Sequence, residues 1–75
     1  MIRVVELNKT CHACPSQWEG MTEEGLYVYI RYRWGYLSAS VGREDVYGKR
    51  IGDGYDGVLD DTEMEFALRD VMEFE

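Results

Sequence analysis

The chain is short of basic charge, has one histidine, one proline and two cysteines, and contains no long apolar run. Each shortage excludes something. Eight Lys and Arg against fifteen Asp and Glu leave a net charge of −7. Duplex nucleic-acid binding draws its affinity from many cations on phosphates, so the whole molecule is a poor candidate for it. The same deficit argues against an anionic membrane surface. No stretch approaches the ~18 apolar residues of a transmembrane helix. Charge interrupts Met1-Ile2-Arg3-Val4-Val5-Glu6-Leu7 at Arg3, so no signal-peptide core is expected and the expected location is cytoplasmic. There Cys11 and Cys14 would stay reduced or hold a metal rather than form a structural disulfide. With His12 as the only histidine, no Ser-His-Asp order or H-E-x-x-H string exists, nor is there a glycine-rich phosphate loop. A non-enzyme is the expectation.

What is present suits one small domain spanning residues 1–75. The negative charge is uneven. Residues 1–42 are neutral, whereas residues 53–75 hold nine acids against Arg69 alone. Such asymmetry marks a partner-facing surface or a solvated helix face that aids solubility.

Ile2–Leu7 reads as a short strand. Asn8–Gly25 reads as a long connection, in which Ser16-x-x-Glu19 has the spacing of a capping box and predicts one helical turn. Leu26–Trp34 alternates strictly. Leu26, Val28, Ile30, Tyr32 and Trp34 share one face, and Tyr27, Tyr29, Arg31 and Arg33 share the other. Trp34-Gly35 permits a tight reversal into a second alternating run, Tyr36–Val41. A further short strand is expected at Asp45–Ile51. Asp60 caps a helix from about Asp61 to Glu73, with Glu63 completing the capping box. Met64, Ala67, Leu68, Val71 and Met72 form its core-facing stripe. The expected fold is α+β: a small antiparallel sheet of three to four strands with one C-terminal helix packed on one face. A homodimer would supplement its small core.

Three constellations invite a functional reading. Cys11-His12-x-Cys14 has the C-x-x-C spacing of half a tetrahedral zinc site, but the remaining ligands must come from elsewhere. The segment Gly52–Glu63 resembles an EF-hand loop in its second half, where Asp56, Asp60 and Glu63 fall at liganding positions. Gly52 and Gly54 stand where carboxylates belong, and turns leading into a helix cap explain the same residues. The Tyr/Arg strand face, with Tyr36, combines residue types enriched at interface hot spots. Aromatic–Arg surfaces also stack nucleobases. Its plain alternative is a solvated sheet face with cross-strand pairs.

The strings Cys14-Pro15-Ser16-Gln17-Trp18-Glu19-Gly20 and Tyr29-Ile30-Arg31-Tyr32-Arg33-Trp34-Gly35 resemble those of small proteins from phages and prophage-bearing bacteria, to which no activity is attached. The resemblance spans about residues 11–42 and implies a setting rather than a mechanism. In that setting small acidic proteins bind host or defence proteins, sometimes imitating the charge of nucleic acid.

The expected function is a non-enzymatic protein-binding module. Asp53, Asp56, Asp60, Asp61, Glu63, Glu65, Asp70 and Glu73 would engage a basic protein that handles nucleic acid. Trp18, Tyr27, Tyr29, Arg31, Arg33 and Tyr36 would supply aromatic and basic anchors. The alternatives are a nucleotide or small-ligand site on the Tyr/Arg face, and a small structural zinc module at Cys11, His12 and Cys14.

Overall fold

The computed structural model describes residues 1–13, 15–54 and 56–75. Strands β1 (Ile2–Cys11), β2 (Ser16–Thr22), β3 (Tyr27–Arg33), β4 (Tyr36–Val41) and β5 (Glu44–Arg50) precede helix α1 (Asp61–Ala67) and strand β6 (Met72–Phe74). They form one six-stranded sheet in the order β5-β4-β3-β2-β1-β6, curled into a half-barrel. β1 to β5 run as an antiparallel meander, and β6 returns parallel to β1. The expected three-to-four-stranded antiparallel sheet with a long C-terminal helix is therefore wrong. Among the described residues the molecule is mostly β, with one helix of seven residues.

The β3–β4 hairpin follows the alternation in the sequence. Val28, Ile30 and Tyr32 face inward opposite Val41, Ala39 and Leu37, and all six are buried. Trp34 (φ 54) and Gly35 (φ 76) form its two-residue turn, and positive φ at both positions matches the right-handed twist of the strands. Leu26 and Trp34 are the exceptions on this face: they flank the strand and stay exposed.

β2 lies where a long connection and a helical turn were expected. Its inward residues are Ser16, Trp18, Gly20 and Thr22, of which Trp18 alone is large and apolar. Gly20 is required there, because a Cβ would overlap the Glu6 carbonyl of β1. β1 itself continues to Cys11, four residues past the expected end, with irregular register at Val4/Glu6 and Lys9/Cys11. The first shift lets Val4 and Leu7 both face the core.

The helix starts as its capping box demands. Asp60 Oδ1 accepts from Glu63 N at 2.7 Å, and Glu63 Oε1 accepts from Asp60 N at 3.2 Å. It stops at Ala67, with Leu68 as C-cap, instead of running to Glu73. The apolar stripe is still buried: Met64, Leu68 and Met72 are at most 2% exposed. Met72 reaches the core from a strand rather than from a helix. Helix and concave sheet face share one core centred on Trp18, Ile30, Tyr32, Leu37, Met64 and Leu68. No helix is long and apolar enough to cross a membrane among the described residues.

Candidate functional site

The curl of the sheet separates two surfaces. The convex face carries the outward residues of every strand. Ladder register aligns Gln17, Arg31, Ser38 and Gly48 in one row, Glu19, Tyr29, Ser40 and Asp45 in the next, and Arg33, Tyr36 and Arg50 in a third. Cross-strand bonds hold its tyrosines. Tyr27 Oη donates to Glu19 Oε1 at 2.6 Å, and Tyr29 Oη donates to Gln17 Oε1 at 3.2 Å. The carboxylate of Glu19 holds the Tyr27 proton, and lost hydration and the Glu19 charge add to this, so the phenol is pushed up to about 12. Arg31 Nε is buried and has no hydrogen-bond partner among the described residues. Arg33 stacks 5.3 Å from the Trp34 ring centre, and Arg50 Nη1 donates to Trp34 O at 2.8 Å.

Five of the six aromatic and basic residues singled out in the sequence, Tyr27, Tyr29, Arg31, Arg33 and Tyr36, share this face. Trp18 does not. It is 1% exposed, its Nε1 donates to Asp61 Oδ1 at 2.8 Å, and Lys9 Nζ sits 4.9 Å above its ring. Trp18 is a core residue that anchors the helix and not the surface anchor expected from the sequence.

The acidic residues cluster around α1 and the segment leading to it, and several have structural duties. Asp56 Oδ2 accepts from Tyr32 Oη at 2.7 Å. Burial, then that hydrogen bond, pushes the Tyr32 phenol up to about 12. Asp60 and Glu63 form the capping box, Asp61 receives the Trp18 indole, and Glu73 pairs with Arg3 at 3.6 Å. Asp53 is exposed beside them. Glu65 and Asp70 are exposed and make no side-chain bond among the described residues. All described ion pairs belong to Arg3. Arg69, the one cation of residues 53–75, bonds Phe66 O at 2.6 Å and stacks 3.9 Å from the Phe66 ring centre instead of meeting an acid.

Two features of this surface were not singled out in the sequence. Phe66 projects from α1, 65% exposed, amid the carboxylates. Beside it a cleft of about 450 Å³ runs between α1 and β5, lined by Tyr47, Lys49, Ile51, Leu59, Phe66 and Asp70 among others. Phe66 lies off the core stripe, and that position was the available signal: a large apolar residue on the polar side of an amphipathic helix has no core to join.

The carboxylates of the EF-hand-like segment are directed to caps and turns. Asp56 also accepts from Val58 N, and Asp60 and Glu63 bond each other's backbone. Among the described residues no three His, Cys, Asp or Glu side chains converge on a metal position. The zinc reading lies partly outside the described residues, because it needs Cys14. Of its other members, His12 is exposed, and Cys11 is half-buried with Sγ donating to Ala13 O at 3.6 Å.

Comparison with known proteins adds no relative: no family model, no curated protein and no solved structure matches this chain.

Proposed function

We propose that this protein is a non-enzymatic binding module of phage type, acting in the cytoplasm, whose acidic helix surface docks on a basic protein that handles nucleic acid. The observation that carries this reading is uncompensated charge. The acids on α1 have no cationic partner among the described residues, and Arg69 is committed to Phe66. Carboxylates held by a capping box and by the Trp18 indole are fixed in position, so less conformational freedom is lost on binding. Such rim charges govern association rate and specificity more than affinity. The affinity would come from Phe66, an exposed aromatic within an acidic rim, with the adjacent cleft receiving partner side chains. The resemblance to phage-type proteins supplies the class of partner.

The test is affinity capture from bacterial lysate with two baits. One is the wild type, and the other carries Glu65→Lys and Asp70→Lys. These two acids are chosen because neither supports the fold, unlike Asp60, Asp61 and Glu63. The reading expects a basic protein that is retained by the wild type, eluted by salt and lost from the reversed bait. Identical, salt-insensitive capture by both baits overturns it.

A second reading rests on the convex face. The Tyr29 ring and the Arg31 guanidinium, neighbours on this face, suit an anionic, planar ligand such as a nucleotide. A nucleotide that raises the melting temperature progressively with its concentration would favour this reading over the first.

A further inference from the structure

β5 closes one side of the sheet order, and its outer edge pairs with no strand of this chain among the described residues. At the base of the β4–β5 pair, Ile51 N donates to Gly35 O at 2.8 Å. Backbone groups alternate sides along an antiparallel strand. Lys49 and Tyr47 therefore direct theirs to β4, and Gly48 and Arg50 direct theirs outward. An open edge is a ready template for another strand unless charge or a bulge blunts it. β5 carries both devices, Val46 being the extra residue between the pairs Ala39–Tyr47 and Ser40–Asp45.

The charges on this edge are not of one sign. Glu44 and Asp45 stand at its start, Lys49 and Arg50 at its end, and all four are exposed. None is ion-paired within the chain among the described residues, since every described ion pair belongs to Arg3. Arg50 uses Nη1 on Trp34 O and keeps its other donors. A strand that is acidic at one end and basic at the other is complementary to itself when turned end for end. It repels itself when laid parallel.

We propose that the free edge of β5 is a homodimer site, in which two copies of the strand pair antiparallel about a two-fold axis through Gly48. The outward N–H and C=O of Gly48 then meet those of the partner's Gly48. With the bulge retained, Asp45 on the convex face lies opposite the partner's Arg50. Tyr47 on the concave face lies opposite the partner's Lys49, and Glu44 is diagonal to the same amine. Each contact occurs twice, as an isologous interface requires. Glycine on the axis fits the geometry: the Tyr36 hydroxyl occupies the space a Cβ at position 48 would take. The edge that the charges protect against unlike strands thus accepts its own copy.

The experiment is analytical ultracentrifugation of the full chain, with amide hydrogen exchange on the same samples. The wild type should sediment at twice the 8.8 kDa chain mass. Glu44→Lys with Asp45→Lys, and separately Lys49→Glu with Arg50→Glu, should each weaken the dimer by about a hundredfold. An equimolar mixture of the two reversed proteins should restore it. Exchange in the unmutated protein keeps the test independent of how the variants fold. The Gly48 and Arg50 amides should slow as concentration rises, while the Lys49 amide, already bonded to β4, should not change. A wild type that stays at the mass of one chain up to millimolar concentration overturns the proposal. So do reversed variants that dimerise like the wild type, or a Gly48 amide whose exchange ignores concentration.

Discussion

Ser16 is 0% exposed, yet it is the polar hub between β2 and the segment that carries the acidic residues. Its hydroxyl accepts from Leu59 N at 3.1 Å and lies 2.8 Å from His12 O and 3.2 Å from Gly57 O. One hydroxyl proton serves those two carbonyls, while a lone pair of Ser16 Oγ accepts from Leu59 N–H throughout. Ser16→Ala keeps the chain's shape and removes every one of these bonds. His12 is exposed, so water replaces its bond. Leu59 is buried, and its amide is left without an acceptor. An unsatisfied buried donor costs about 1–3 kcal/mol, and the weakened Gly57 carbonyl brings the expected loss to about 2–3 kcal/mol. With a urea slope near 1 kcal/mol/M for a chain of this size, the unfolding midpoint should fall by roughly 2–3 M. The control is Ser38→Ala, whose hydroxyl makes one long bond of 3.5 Å to Arg31 O from a half-buried site. It should shift stability by less than about 0.5 kcal/mol. Hydrogen exchange adds a local readout, because the Leu59 amide should lose protection out of proportion to its neighbours. Equal urea midpoints for the two variants, or an unchanged Leu59 amide, would mean that the Ser16 hydroxyl does not hold this segment.

Other perturbations have equally definite outcomes. Gly35→Ala combines positive φ with overlap against the Gly52 and Asp53 carbonyls, whereas Gly25→Ala has positive φ and open space. Thermal unfolding should find the first costing about 2–3 kcal/mol and the second about 1 kcal/mol. Tyr32 titrates near 12 in the fold against 10.0 in the free chain. A raised folded value means its contribution is intact below pH 10 and is lost as pH climbs toward 12. Tyr32→Phe should remove that part of the alkaline loss, measured as denaturation midpoints at about pH 9 and about pH 11.5. Phe66→Ala should leave stability within about 0.5 kcal/mol, because the ring is exposed, and weaken a captured partner about tenfold or more in a binding titration.

The parts of the fold legible in the sequence are those where local pattern and tertiary role coincide. The β3–β4 hairpin declares itself because Val28, Ile30, Leu37, Ala39 and Val41 are apolar, inward and two apart, with Gly35 between them. The helix start declares itself through Asp60 and Glu63, whose bonds are local. β2 is concealed because its inward positions hold Ser16, Gly20 and Thr22. Polarity there answers to specific bonds and to a close backbone approach, so hydrophobic alternation never appears. The end of the helix is concealed for another reason. Leu68 and Met72 suit both a helical stripe and an entry into β6, and pairing with β1 decides between them. That choice depends on a strand seventy residues away in sequence, at Ile2, and no local signal carries it.

The candidate surfaces divide in the same way. Tyr27, Tyr29, Arg31, Arg33 and Tyr36 share a face because period two puts them there. Trp18 could not be assigned from composition, since a tryptophan is equally at home in an interface and in a core. The acids around α1 were visible as a charge run. Their division into structural ones, such as Asp60 and Asp61, and free ones, Glu65 and Asp70, required the hydrogen bonds.

The proposed docking requires this free acidic charge to draw in a basic partner. The most direct measurement is the association rate of the captured partner against ionic strength, by stopped flow, for the wild type and for the protein with Glu65→Lys and Asp70→Lys. Charge steering predicts a wild-type rate that falls steeply with salt, and a slower rate with a shallower salt dependence for the variant. Equal rates at every ionic strength would contradict it.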